Sequence, residues 1–553
     1  MSKDSLVKGT LILTLAALVA RALGVVQRIP LVYLLGDIGM AAYGIAFNLY
    51  SVLLVVATAG IPSALSKMIS ERTTLGRHAE ADRIYKAALL FAAVAGVVMT
   101  LLLYIGAPYF AESIINPQAA LPIRAIAPAL LLFPLIAIMR GYFQGRRMMM
   151  PNGVSQIIEQ IFRVATSVAL AYLLLSHSIE YAVAGASFGG VIGSIAAAAV
   201  MLYYAMRLRS SDRRELEAQP QPEAGTTAVQ PFRSIYAQLF KLSVPIVIFS
   251  MTVTLIYTID SSIVTLLLKD DMGEEPSREI LGILTGRAQS LAGIPIILAV
   301  ALSQSIVPII SSAYSQKDMQ QVSGQTGKVL QLSILSGLPM VLIICLAARP
   351  INGFIFGNPS ESQIAADYAA PVIIALTASA IFQIVMQTSG AVLMGMGRMK
   401  PLVLGVVIGI VVKLAASFML APYFGIYGII AATALCFIVM TAINLLVLRS
   451  EVRFRVLGGR RWISLAASTV IICAVGIGLD AFCRAYIQPF GSVRWDDMVQ
   501  SILLCAVIGA AYPIMLFLTR VMTLNDLQHL PGPLRKLAKP ILAKLGRKQR
   551  QTP

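Results

Sequence analysis

A chain of 553 residues that is 58% hydrophobic and only 13% charged, with a mean hydropathy of +0.80, is no ordinary soluble protein; soluble domains carry about 25% charged residues. A net charge of +18 would suit a nucleic-acid binder, but the basic residues fall in short runs between apolar spans, the bias of cytoplasmic loops. The five cysteines form no CxxC and lie mostly in apolar spans, so neither a disulfide framework nor a metal site is expected.

The first apolar stretch, 6–35, is too long for a cleavable signal peptide and lacks a clear small-residue cleavage site. As a helix it is about 45 Å long, with Arg21 near its middle and Arg28 about 10 Å further on. Seven residues are close to two turns, so both guanidiniums share one face. A guanidinium facing lipid at mid-membrane costs at least about 2.5–3.5 kcal/mol. Two on one stripe point to a wet or protein-lined interior; structural pairing with neighbouring helices is the alternative.

About thirteen further spans follow by the roughly 20-residue criterion, giving an all-α polytopic protein of about fourteen. They cover 41–66, 84–109, 121–143, 153–175, 181–206, 236–268, 279–312, 326–347, 363–394, 401–421, 426–448, 462–486 and 498–519. Prolines inside them, among them Pro30, Pro134, Pro245 and Pro295, favour kinks. Basic clusters follow the even-numbered spans: Lys67 to Lys86, Arg146 with Arg147, Arg207 to Arg214, Arg398 with Lys400, and Arg449 to Arg461. The intervening loops are poor in Lys and Arg, and the one at 270–279 is mostly acidic. Both termini are therefore expected in the cytoplasm. A solvated external loop explains the acidic run better than a metal site.

The polar segment 210–232 reads as a cytoplasmic linker. It would separate a six-helix bundle at 1–209 from a second at 233–449, with two additional spans and a basic tail in 450–553. The halves resemble each other: Gln144 to Pro151 joins spans four and five as Met394 to Pro401 joins ten and eleven. The same register sets Arg163 against Lys413 and implies two bundles related by an axis along the membrane normal. Glu159 and Arg163, four apart, form an intrahelical pair most simply. Lys413 has no such acid and is a candidate for lining the cavity, with structural pairing to another helix as the equal alternative. Asp260, the carboxylate well inside the seventh span, is an ion-coupling candidate or the charge partner of a cavity arginine, the second being favoured because a lone carboxylate makes a poor ion cage. Arg140 and Asp367 lie near span ends and read as interfacial. The tail 531–550 could lie on the anionic inner leaflet as an amphipathic helix, although topology alone explains its charge equally well.

Ala20-Arg21-Ala22-Leu23-Gly24 followed by Arg28, the duplicated twelve spans and the two extra C-terminal ones resemble the MurJ-type lipid II flippases of the multidrug/oligosaccharidyl-lipid/polysaccharide exporter superfamily. Tyr43 to Ala46 and Gly60 to Lys67 are similar to its Gram-positive branch, that of YtgP and the stage V sporulation protein B. The resemblance implies a V-shaped pair of bundles around a central cavity, alternating access, export of a polyprenyl-diphosphate-linked peptidoglycan precursor across the bacterial plasma membrane, and a monomer among membrane lipids. In the better-known branch the first span reads Arg-x-x-Gly-x-x-Arg-Asp; here Gln27-Arg28 stands in place of Arg-Asp, and the paired arginines of the second span are absent. Arg287 matches the family's cavity arginine approximately.

Guanidiniums bind a diphosphate as planar forks, so Arg21, Arg28 and Arg287 form the expected binding group. Asn48 and Gln289 could meet sugar hydroxyls, though a buried interhelical hydrogen bond is the plainer role for each. No cofactor or nucleic acid is expected, and membrane potential, sodium and protons all stay open as energy sources. Another lipid-linked polysaccharide unit would present nearly the same charges. A multidrug cation exporter of the superfamily should carry carboxylates in its first bundle. A polytopic glycosyltransferase would need converging carboxylates or histidines, whereas His78, His177 and His529 are scattered.

Overall fold

The computed structural model describes residues 6–58, 60–74, 77–146, 148–218, 232–357, 362–487 and 489–521. Among these there are helices and connections but no strands. In chain order the helices are α1 (Leu6–Thr58), α2 (Ile61–Thr74), α3 (His78–Ser113), α4 (Ala120–Ile126), α5 (Ala129–Gly145), α6 (Met150–Leu174), α7 (Ile179–Ala218), α8 (Phe232–Met272) and α9 (Glu274–Gly282). A π-helical turn, Ile283–Ala288, leads into α10 (Gln289–Ser315), α11 (Met319–Leu346), α12 (Ala348–Phe356), α13 (Gln363–Gly395), α14 (Met399–Phe424), α15 (Ile426–Glu451), α16 (Gly459–Tyr486) and α17 (Val493–Leu518).

Twelve of these segments are long and apolar enough to cross a membrane, or thirteen when the bent pair Pro117–Ile126 and Ala129–Gly145 is taken as one span. The expected first and second spans are fused in α1, whose 53 residues would reach about 80 Å as a straight rod, far beyond a hydrocarbon core of about 30 Å. Gly36 resolves the conflict. At φ 63° it takes a conformation that side chains with a Cβ rarely adopt, and it breaks α1 into two stretches. A second break at Gly60, φ 80°, leads into α2. The acidic run at 270–279 is not the open loop expected: α8 continues to Met272 and α9 starts at Glu274, with only Gly273, φ 90°, between them. Likewise α7 runs on to Ala218, so the first part of the expected linker is helical. Residues 219–231 and the basic tail lie outside the described residues.

The two similar turn motifs close alike. After α5, Arg146 N donates to Tyr142 O and Met148 N to Phe143 O; after α13, Met396 N donates to Val392 O and Arg398 N to Leu393 O. The second bond of each set is the long-reach closure that satisfies orphan carbonyls at a helix end. It recurs in the register that pairs Arg163 with Lys413. The last helix, α17, packs on α12 and α11, and the Arg494 guanidinium at its start stacks over the Tyr33 ring of α1 at 4.9 Å.

Candidate functional site

A cavity of about 360 Å³ lies between α1, α6 and α10. Helical spacing builds its walls. On α1, Ala20, Gly24, Gln27 and Arg28 recur at three- and four-residue steps; Gln160 and Arg163 do so on α6, and Gln289, Gly293 and Ile297 on α10. Small residues make the room. A Cβ at Gly24 or Gly293 would meet nothing within 4 Å, so neither position brings α1 and α10 into contact.

Arg28 crosses from α1 to donate a hydrogen bond from Nη1 to the Thr285 carbonyl. That carbonyl lies in the π-helical turn, where the widened ladder loosens the usual i→i−4 pairing. The Arg28 guanidinium also lies 5.9 Å from the Tyr43 ring centroid and 5.6 Å from that of Phe47, a cation–π setting that holds the plane without neutralising it. No ion pair ties Arg28 to a carboxylate among the described residues. Arg163, the second cation of the wall, bonds Glu159 at 2.7 Å and lies 5.8 Å from the Phe133 ring centroid. Tyr43 stands within electrostatic reach of both guanidiniums and accepts a hydrogen bond from Gln27 Nε2 at 3.3 Å. Gln289 Nε2 is buried without a hydrogen-bond partner among the described residues. A wall of two guanidiniums, primary amides and aromatic faces suits an anionic group carrying hydroxyls.

The residues expected at this site divide. Arg28 and Gln289 line the cavity. The Arg21 side chain lies outside the described residues; its backbone position on α1 falls in the stripe of Gly24 and Arg28. Arg287 does not line the cavity. It is buried on the π-helical turn, with Nε and Nη2 on Asp37 at 2.9 and 2.6 Å and Nη1 on Asn352 Oδ1 at 3.2 Å. A carboxylate from the far side of the Gly36 kink thus takes the place intended for a diphosphate. Asn48 forms an interhelical bond, to Ser261 Oγ at 2.7 Å, and does not face the cavity.

Lys413 is fully buried, with Nζ 2.5 Å from Asp260 Oδ1 and 2.6 Å from Thr433 Oγ1, which corrects its expected place on the cavity wall. Asp260 is thereby a charge partner, but of a lysine on α14 and not of a cavity arginine. The Glu159–Arg163 pair expected from the spacing is present, and Arg163 lines the cavity as well, a place that spacing along one helix does not assign. Glu159, however, is shared: Arg140 Nη2 binds its other oxygen at 2.9 Å. Two cations to one acid over spans four and five was the signal that marked a surplus charge there.

The family model described as polysaccharide biosynthesis protein matches residues 6–314, more than half the chain. The chain belongs to this polysaccharide biosynthesis family. The lipid II flippase MurJ of Bacillus subtilis (strain 168) is 26% identical over 523 residues, covering 92% of this chain and 94% of that protein. The stage V sporulation protein B of the same organism is 26% identical over 535 residues, covering 96% and 98%. Among solved structures, the lipid II flippase MurJ in an inward closed conformation matches at TM-score 0.64 and 14% identity, covering 92% of this chain and 100% of that one. An inward-facing multidrug resistance MATE family transporter of the MOP superfamily also matches at TM-score 0.64, with 12% identity and 80% and 98% coverage. The MurJ-type resemblance read from short motifs therefore extends over nearly the whole of this family member, and its fold is that of polytopic all-helical transporters.

Proposed function

We propose that this family member is an alternating-access flippase that moves a polyprenyl-diphosphate-linked peptidoglycan precursor, lipid II, from the inner to the outer leaflet. It would work as a monomer with both termini in the cytoplasm. The observation that carries this reading is the cavity wall itself, with Arg28 and Arg163 on separate helices and, among the described residues, no carboxylate answering Arg28. Each guanidinium offers a planar fork of donors to phosphate oxygens, and Gln27, Gln160 and Gln289 offer amides to the saccharide. Moving a lipid across the bilayer makes and breaks no covalent bond, so the site needs binding groups that can let go, not general acids.

Flipping of fluorescent lipid II in proteoliposomes tests the reading: protein-dependent movement without covalent change is expected, and either no movement or a new product overturns it. A capsule-type or spore-specific lipid-linked unit would bear the same diphosphate, so the assay is run with such a lipid as competitor. A multidrug cation exporter is disfavoured because the acids nearest the spans are already taken: Glu159 is held by two arginines and Asp260 by a lysine.

A buried ammonium at bonding distance from Asp260 supports a structural role over ion coupling. Asp260→Asn alone strands the Lys413 charge, and losing one partner of a buried pair costs about 3–5 kcal/mol. The double variant Asp260→Asn/Lys413→Gln is expected to regain most of that stability in thermal unfolding. It should also keep whatever sodium or proton dependence the parent shows in proteoliposomes; loss of that dependence would return Asp260 to the coupling mechanism.

A further inference from the structure

Glu159 is buried and touches two guanidiniums that face different ways. Arg163, through Nη2, takes Oε1 at 2.7 Å and belongs to the cavity wall. Arg140, through Nη2, takes Oε2 at 2.9 Å. It sits behind the wall on α5, fixed by Ser155 Oγ at 2.7 Å and by Asn152 Nδ2, which bonds the Arg140 carbonyl at 2.9 Å. The backbone around the acid is tightly held. A Cβ on Gly193 of α7 would come within 2.8 Å of the Glu159 carbonyl oxygen and 3.1 Å of Arg163 Cβ, so α6 has no slack to shift there. Side chains must supply any movement. Arg163 Nε is itself buried without a hydrogen bond among the described residues, so it is through the Nη groups of the guanidinium, only one of which is bonded to Glu159, that Arg163 can meet a ligand.

We propose that Arg140 and Glu159 act as a counter-ion relay for Arg163. In the empty cavity Glu159 neutralises Arg163. When the anionic headgroup arrives, Arg163 exchanges the carboxylate for a phosphate, and Glu159 stays compensated by Arg140 alone. The exchange is reversible because no charge is stranded at either stage: a buried ion left without a partner is the costly state, and Arg140 prevents it. The same competition that weakens capture hastens release. Arg140 is thus a positioning residue that never touches the substrate. This inference rests on the flippase reading, because it needs an anion in the cavity.

The relay predicts effects of opposite sign, which a purely structural network would not give. Inorganic pyrophosphate is the probe, measured by displacement of a fluorescent polyprenyl diphosphate from the purified full-length protein in nanodiscs. Glu159→Gln removes the competitor and is expected to tighten pyrophosphate binding about tenfold, near the free energy of one good charge-assisted bond, while slowing release in the flipping assay. Arg140→Gln leaves Glu159 dependent on Arg163 and is expected to weaken binding about tenfold. The double variant Arg140→Gln/Glu159→Gln removes both the acid and its keeper, so it should bind at least as tightly as the parent even if Arg140→Gln alone is poorly stable. If both single variants weaken binding, or if the double does no better than Arg140→Gln, the relay is wrong while the flippase reading stands. Should the parent fail to bind pyrophosphate, or bind it undiminished after Arg28→Ala, both ideas fall.

Discussion

An Arg28→Ala variant is expected to reach the membrane at the parental level and yet fail to rescue a host depleted of its own lipid II flippase. The residue lines the cavity from α1, carries no carboxylate partner among the described residues, and is steadied by a backbone carbonyl and two aromatic faces. Removing it therefore strands no buried acid. Its loss falls on ligand binding: a hydrogen bond to a charged group contributes about 1.5–3 kcal/mol, which is roughly one to two powers of ten in affinity. Arg28→Lys keeps the charge but loses the planar fork, and the shorter reach gives up the Thr285 carbonyl. It should restore growth only partly. Labelled lipid II exposed on the outer leaflet provides the measurement. Undiminished exposure in Arg28→Ala would take this guanidinium out of the mechanism, and with it the cavity as the site of headgroup binding.

Much of this architecture could be read from hydropathy alone, because a bilayer forces every span to be apolar for about 20 residues. The exceptions have identifiable causes. The break expected between the first two spans falls at Gly36, which turns the chain without ending the helix, so 36–40 is a kink within α1 and not an open loop. The charged residues were harder. Spacing along one helix finds partners three or four residues away, as with Glu159 and Arg163. It is blind to partners on other helices. No spacing along α14 reveals that the acid of Lys413 is Asp260, 153 positions away on α8, or that Glu159, besides pairing with Arg163 as its spacing predicts, is shared with Arg140 of α5. The two cations that the internal repeat sets in one register thus exchange roles: α6 turns its cation to the cavity, and α14 buries its own.

Arg287 shows the same blindness at its largest expected effect, which falls on stability. Its guanidinium is 3% exposed, the Asp37 carboxylate 7%, and two parallel bonds join them between α1 and the π-helical turn. Gly282 fits against the Asp37 carbonyl so closely that a Cβ there would collide with it, so the ion pair sits in a tight interhelical seam. Asp37→Ala removes the carboxylate that two guanidinium bonds converge on, and Arg287→Ala removes those two bonds from a buried carboxylate. Each is expected to cost about 3–5 kcal/mol, seen as a marked drop in unfolding temperature in detergent. Replacing both, as Asp37→Leu/Arg287→Met, removes the desolvation penalty along with the attraction and should recover most of that stability. Transport is expected not to recover with it. Alternating access, as proposed for this chain, requires seams between helices to part and re-form. Separated ions regain hydration as the seam opens, whereas separated leucine and methionine expose apolar surface to water at about 25 cal/mol per Å². The double variant should therefore be stable but slow in the flipping assay. Parental transport in that variant would show that the Asp37–Arg287 seam stays closed throughout the cycle.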